Sequence, residues 1–459
     1  MAHWTTIGAA ELAAAIRAGR VSAAAALEAH ITRIAEVNPQ INALVHERFA
    51  AARAEAQAAD ALPPERRGPL HGVPITIKDA FDVAGLPTSC GLTSRAGRVV
   101  THDAAAVARL RAAGAIVLGA TNTPDNCWAQ ETTNPLHGPT CNPHNPAHSV
   151  GGSTGGEAAL IASGGSPLGL GSDIAGSIRL PAAFCGIAGL RPTSGALDEA
   201  GFWPPSNGRL AQLNAIGPMA RRVEDLALAW DVLRGAPHQP PDQALLRGRT
   251  AAYWFDDGLT PSSAAIRAGV RAAVGRLERA GMRPLADAPP SRRMAILGWL
   301  ALCGPTERQA IAAGFGGGQP WHPLREAVRA AIGRRRVGGA SLYYWLGSHY
   351  GALLAAALGI DGMRWRERLQ AQLRERIGPG GVAVCPIFPT TAPPHGFSTL
   401  ALLTTTSYQT WVNLAGLPAV AVPLGRTRRG MPVGVQIVGA PGSEATLLAA
   451  GMAVQQFTV

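Results

Sequence analysis

Helix and strand patterns alternate along most of this 459-residue chain, and that alternation constrains its fold more than any other feature. Residues 104–113 read as a helix closed by Gly114, and the apolar run 115–118 as the strand that follows. The pattern recurs through residues 157–191. It returns near the end, with strands at 418–423 and 433–438 before a last helix from Ser443. Chains built this way lay their strands into one largely parallel or mixed sheet and cover it with helices, so the expected class is α/β. Residues 8–60 carry two or three amphipathic helices, with Ser22 as an N-cap. Between about 240 and 380 arginine-rich helical patterns take over, broken by Gly316-Gly317-Gly318 and the aromatic cluster Tyr343-Tyr344-Trp345. That stretch reads as an insertion or cap, because strand patterning resumes at Val382. No internal repeat is visible.

With 47% hydrophobic and 15% charged residues the chain can bury a sizeable core, which argues against wholesale disorder. Its net charge of +11 raises the question of nucleic acid, but the arginines are spread along helices and the one tight run, Arg334-Arg335-Arg336, is short. A solvated arginine-rich surface is the expected reading, with no direct nucleic-acid contact. The six cysteines form no C-x-x-C pair and no secretory leader precedes them, so free thiols and a cytoplasmic location are expected. Apolar stretches such as 295–303 and 350–360 fall short of the roughly 18–20 residues a membrane span needs.

Of the 41 basic side chains only Lys78 is a lysine. Arginine stays protonated, whereas a desolvated lysine amine can give up its proton and then accept one. Lys78 is thus a candidate base, or else a leftover of a codon usage that rarely encodes lysine. Its neighbourhood, Val73-Pro74-Ile75-Thr76-Ile77-Lys78, reads as a short strand buried on both faces. The end of such a strand is where a catalytic amine would sit.

Residues 151–193 hold the densest signal, with two glycine-flanked serines: Ser153 in GGSTGG and Ser177 in DIAGS. Glycine runs let a substrate approach the main chain and let consecutive N–H groups converge on an anion. A serine nucleophile, a donor-rich loop and a buried amine together point to acyl transfer. A phosphate-binding loop is excluded because no Gly-Lys-Ser/Thr follows, and a dinucleotide fingerprint because Gly169, Gly171 and Gly176 are wrongly spaced. Gly151–Gly155 matches the G-x-S-x-G nucleophile elbow, but loop residues 142–148 stand where that elbow needs a strand. Cys141, His144 and His148 are read as loop residues and not as a zinc site, since prolines break the segment and a fourth ligand is missing.

These residues resemble the amidase signature family. Its glycine- and serine-rich block is reproduced almost completely between Gly151 and Thr193, and its upstream G-V-P-x-x-x-K-D element stands at 72–79. Further matches are T-N-T-P at 121–124, N-P-L-H-G at 134–138, I-G-P-M-A-R at 216–221, N-L-A-G-L-P-A-V-A-V-P at 413–423 and P-V-G-V-Q-I-V-G at 432–439. The resemblance implies a single amidase domain over 1–459, with a central mixed sheet and helices on both faces. Within it, 1–65 would be N-terminal helices, 66–240 the catalytic core, 240–380 a variable helical cap and 381–459 the rest of the core. It implies a Ser–cis-Ser–Lys triad: Ser177 as nucleophile, Ser153 as bridging serine behind a cis peptide after Gly152, and Lys78 as base. The oxyanion hole would be the N–H groups of Ile174, Ala175, Gly176 and Ser177, with Cys127, Trp128 and Ser153 at the substrate. No cofactor or metal is implied; the partner is a small-molecule amide, and a homodimer is allowed.

Three positions depart from the family pattern. Thr154 stands where a second serine is usual, Arg191 where lysine is common, and Ala175 where glycine is usual, so that a positive φ there would be strained. The expected activity is hydrolysis of an apolar or aryl carboxamide through an acyl-serine, closest in motif to fatty-amide-hydrolase-like amidases. The alternatives are the glutamine-hydrolysing component of a tRNA-dependent amidotransferase, and a binding protein that keeps the fold without catalysis.

Overall fold

The structure, a computed structural model, describes residues 2–206 and 208–455. Its largest sheet has eleven strands: β1 (Leu44–Glu47), β2 (Pro74–Lys78), β3 (Ile116–Thr121), β4 (Leu168–Ser172), β5 (Ala188–Arg191), β6 (Ile216–Ala220), β7 (Thr250–Tyr253), β8 (Arg283–Ala286), β9 (Val382–Pro386), β10 (Ala419–Arg426) and β11 (Pro432–Val438). They lie in the order β1-β3-β2-β4-β6-β5-β10-β11-β9-β7-β8. β2 pairs in parallel with both β3 and β4, whereas the run from β4 through β6, β5, β10 and β11 to β9 is antiparallel. The sheet is therefore mixed, as the alternation of elements predicts.

Period-2 side-chain alternation feeds two separate cores. Ile75, Ile77, Val117, Leu170 and Leu190 enter one, packed with the helices Val223–Leu233 and Glu444–Val454. Ile116, Leu118 and Met219 enter the other, with the helices Gly155–Ala162 and Arg179–Cys185. Helices thus cover both faces. At the N-terminus three helices form, and the Ser22 hydroxyl accepts the Ala25 N–H at 3.0 Å as an N-cap. No helix among the described residues is long and apolar enough to cross a membrane.

The segment 240–380 differs from the helical cap expected of it. β7 and β8 fall inside it and extend the main sheet in parallel from β9, with the helix Ala264–Arg279 between them packed back on the sheet. These strands are short, and β8 is an exposed edge, so neither shows the apolar run that betrays a buried strand. Only the later helices, from Arg292 to Ile377, form a helical layer. One consequence of the sheet order matters most for chemistry: β2 and β4 are parallel neighbours, so the residues at their C-terminal ends, Lys78 and Ser172, come together.

Candidate active site

Lys78 ends β2 with no exposed surface, and its Nζ lies 2.6 Å from Ser153 Oγ and 2.9 Å from Ser172 Oγ, hydrogen bonded to both. Ser153 follows a cis Gly152–Ser153 peptide, the bond the resemblance implied. A Cβ on Gly152 would stand 2.7 Å from the Ala129 carbonyl oxygen and 2.8 Å from Glu131 N, so only glycine lets the chain pass so close to that segment. The Thr123 hydroxyl donates to the Ser153 carbonyl (2.9 Å), and the Thr154 hydroxyl to the Ser172 carbonyl (3.2 Å). Thr154, the first departure from the family pattern, thereby ties the Ser153 loop to β4.

Ser177 lies on the loop between β4 and the helix Arg179–Cys185, and that loop is clamped by Asp173. The Asp173 carboxylate accepts the Gly176 N–H (2.8 Å) and the Ile178 N–H (3.2 Å). Arg179 grips the same carboxylate with Nε at 3.0 Å and Nη2 at 3.1 Å, and Arg191 Nε stands 3.6 Å away. All three side chains are fully buried. Burial by itself would raise the Asp173 pKa, but the two guanidinium groups outweigh it and hold the carboxyl well below its ordinary range. The clamp carries a net charge that two buried arginines and one aspartate leave positive, and Arg191 turns other donors to the carbonyls of Leu417 (2.5 Å) and Leu213 (2.7 Å) and to the Ser194 hydroxyl (2.8 Å). Burial lowers its pKa to about 9. A lysine could not make this fork of bonds.

The clamp also engages one of the four N–H groups expected of an oxyanion hole. Gly176 has φ +100°, and its N–H is already held by Asp173, so it is not free to meet a substrate. The N–H groups of Ile174, Ala175 and Ser177 have no hydrogen-bond partner among the described residues. Ala175 does not take a positive φ; the left-handed turn falls on Gly176, which explains how an alanine is tolerated one place earlier.

Ser177 opens onto a cavity of about 90 Å³ whose walls include Trp128, Ile174, Ile296, Trp299, Leu300 and Tyr344. Among the described residues no charged side chain lines it. A smaller cavity of about 30 Å³ reaches Ser153 and Ser172, and Cys127, Trp128 and Ile174 line both. Cys127 and Trp128 therefore stand where the two cavities meet. Trp299 was not anticipated: its Nε1 donates to the Ile174 carbonyl at 2.9 Å and pins the helix Arg292–Ala301 to the Ser177 loop. Within the aromatic stretch 342–350, Tyr344 faces the cavity and donates to Gln130 Oε1 (3.3 Å), Trp345 packs in the core, and Tyr350 is exposed.

Two further groups escaped the sequence reading. Glu157 is fully buried between the hydroxyls of Thr76 and Thr121, and burial pushes its pKa up to about 8 against the pull of those two hydrogen bonds. A Cβ at Gly169 would collide with its carboxyl, so the glycine makes room for it. The ligand atoms of His46, Asp79 and His137 lie within 4.8 Å of one another and could hold a metal ion. Asp79 is already engaged: Oδ1 accepts the Ser89 N–H (2.9 Å) and Oδ2 the Ser89 hydroxyl, so a cation would compete with that hydroxyl. Cys141, His144 and His148 do not converge; His144 Nε2 instead meets the Cys185 carbonyl at 2.8 Å.

Known proteins resemble this chain over nearly its whole length. The chain is 35% identical to fatty-acid amide hydrolase 2-B of Danio rerio over 94% of its own length and 86% of that protein. It is 33% identical to a glutamyl-tRNA(Gln) amidotransferase component of Chloroflexus aurantiacus over 99% and 97%. Among solved structures, 6-aminohexanoate cyclic dimer hydrolase superposes with a TM-score of 0.79 at 27% identity, over 98% of this chain and 96% of that one. The Amidase family model matches residues 25–448, and the chain belongs to that family, hydrolases of the C–N bond of amides.

Proposed function

We propose that this amidase hydrolyses carboxamides of small apolar or aryl acyl groups through an acyl-serine, with Ser177 as nucleophile, Ser153 as relay and Lys78 as base. The observation that carries the reading is the 2.6 Å contact between the buried Lys78 amine and Ser153, beside an uncharged cavity that Ser177 faces. The Lys78 amine takes the Ser153 proton while Ser153 takes that of Ser177, whose oxygen attacks the amide carbonyl. The N–H groups of Ile174, Ala175 and Ser177 meet the negative charge that develops on the carbonyl oxygen. Reversing the relay protonates the leaving amine as the C–N bond breaks, and water then attacks the acyl-serine by the same route. Ser172 holds the Lys78 amine in line from its other side.

The cavity favours this substrate class over glutamine, whose ammonium and carboxylate would find no charged partner in its lining. A fluorophosphonate should label Ser177 and fail to label the Ser177→Ala variant, and the purified chain should turn over aryl and short alkyl amides faster than glutamine. Labelling elsewhere would refute the nucleophile, and a preference for glutamine would refute the substrate class.

A further inference from the structure

Two thiols that amide hydrolysis does not use lie in contact beside the Lys78 amine. Cys90 Sγ and Cys127 Sγ are 3.4 Å apart, and both cysteines are free and buried. They come from loops that follow the adjacent parallel strands β2 and β3, so the sheet itself fixes their approach. Both backbones sit at positive φ, 50° at Cys90 and 56° at Cys127, a conformation that non-glycine residues adopt rarely and that here turns the two side chains toward each other. Cys127 also borders both cavities, and the smaller, at about 30 Å³, has room for one water-sized molecule.

We propose that Cys90 and Cys127 form an oxidisable dithiol whose co-reactant is a small peroxide, hydrogen peroxide being the simplest, and whose disulfide shuts the amidase site reversibly. The Cys127 sulfur attacks one peroxide oxygen, the O–O bond breaks and the other oxygen leaves as water once protonated. Sulfur is oxidised by two electrons to the sulfenic acid, and the peroxide is reduced. The Cys90 sulfur then attacks the Cys127 sulfur, an S–S bond forms, the S–OH bond breaks, and the hydroxyl departs as water with the Cys90 proton. Two thiols and one peroxide thus give one disulfide and two waters.

The two cysteines divide these roles by their surroundings. Burial alone would raise the Cys127 pKa, but hydrogen bonding from Cys90 pulls it down. Burial, reinforced by Cys127, pushes Cys90 well up. Cys127, which borders both cavities where Cys90 borders neither, is therefore the attacking thiol and Cys90 the resolving one. Closing the bond brings the sulfurs about 1.4 Å nearer than the contact distance, given an S–S length near 2.05 Å. That draws the Cys127 sulfur off Lys78 and shifts the Cys127–Trp128 wall that both cavities share. A displacement of about 1 Å at a reacting site costs on the order of 100-fold in rate, and a loss of that size is expected here.

The test is to treat the purified full chain with hydrogen peroxide, then map peptides by mass without reduction and assay amide turnover before and after a dithiol reductant. Expected are a peptide pair joined through Cys90 and Cys127, loss of two of the six thiols, and activity that falls with cross-linking and returns on reduction. In Cys90→Ala the resolving thiol is gone, so Cys127 should advance to the sulfinic acid, gaining two oxygens, with inactivation that the reductant does not reverse. Absence of the cross-linked pair would overturn the proposal, as would a cross-link that leaves turnover unchanged. So would inactivation of Cys90→Ala that the reductant still reverses. The peptide map does not depend on which amides the enzyme accepts, so it separates failure of this inference from failure of the substrate assignment.

Discussion

Replacing Glu157 with glutamine should leave the protein increasingly more stable than wild type as pH rises. Glu157 has no exposed surface, and burial lifts its pKa from the ordinary 4.5 to about 8. Below pH 4.5 the folded and unfolded chains both hold the proton, and the carboxyl contributes equally to each. Between 4.5 and 8 the folded chain keeps a proton that the unfolded chain has lost, so each rise of one pH unit removes about 1.4 kcal/mol of stability. Across the window the loss reaches about 5 kcal/mol, and above pH 8 it levels off. Glutamine fills the same space between Thr76 and Thr121 and does not titrate. Asp79, Asp125 and Asp225 are also pushed up by burial, but they are common to both proteins and cancel in the difference. Urea unfolding at about pH 5, 7 and 9, with equal m-values for the two proteins, measures that difference directly. A difference that stays constant over the range would refute the reasoning. A wild type that gains on the variant as pH climbs would show instead that the carboxyl is ionised and paired in the fold.

The other expectations concern turnover and the clamp. Lys78→Arg keeps a positive side chain but removes the proton acceptor, so amide turnover should drop on the order of 100- to 10,000-fold while the circular dichroism and melting temperature stay near wild type; near-normal turnover would end the case for a lysine base. Ser172→Ala leaves the Lys78 amine with one hydroxyl fewer, at about 1–3 kcal/mol, and should lower kcat about 10- to 100-fold. KM should hold steady, because Ser172 does not line the larger cavity, and a change confined to KM would contradict that role. Asp173→Asn strips the counter-charge from Arg179 and Arg191 and should destabilise the fold by about 3–5 kcal/mol in chemical unfolding; a variant as stable as wild type would mean the clamp is not under charge tension.

Lys78, Ser153 and Ser177 stood out as candidates in the sequence because each sits in a short contiguous pattern: a β-branched strand end, or a serine flanked by glycines that permit one backbone path. Ser172 stands directly before Asp173 in the same block, yet nothing local marks it. Its contact with Lys78 exists only because β2 and β4 are neighbours, and helix–strand alternation predicts a sheet without giving its order. The cavity wall was hidden for a related reason. Periodicity shows that residues 292–301 have an apolar side, but the bond from Trp299 to Ile174 spans 125 residues and depends on how that helix docks. Glu157 was overlooked because a glutamate beside glycines reads as a solvated helix start. Only the hydroxyls of Thr76 and Thr121, contributed by two other strands, make its burial tolerable. What the sequence withheld were side chains whose partners are remote in the chain.

The same contrast explains why one lysine survives among forty arginines. The two largest fully buried side chains are Arg179 and Arg191, and both use the planar guanidinium fork, against the Asp173 carboxylate and against main-chain carbonyls. Those partners accept, as does the Ser194 hydroxyl that Arg191 Nη2 reaches at 2.8 Å, and a permanently protonated donor satisfies them. Lys78 is the next largest, and its surroundings are of another kind: two serine hydroxyls and the Cys127 thiol, each able to give a proton as well as receive one, with no carboxylate within ion-pair distance among the described residues. A guanidinium in that place would be a charge without a counter-ion, and it would have no lone pair to offer Ser153. An amine can exchange its proton with any of the three. The buried cations thus differ in the partners they face: the two arginines meet a carboxylate and main-chain carbonyls, and the lysine meets hydroxyls and a thiol.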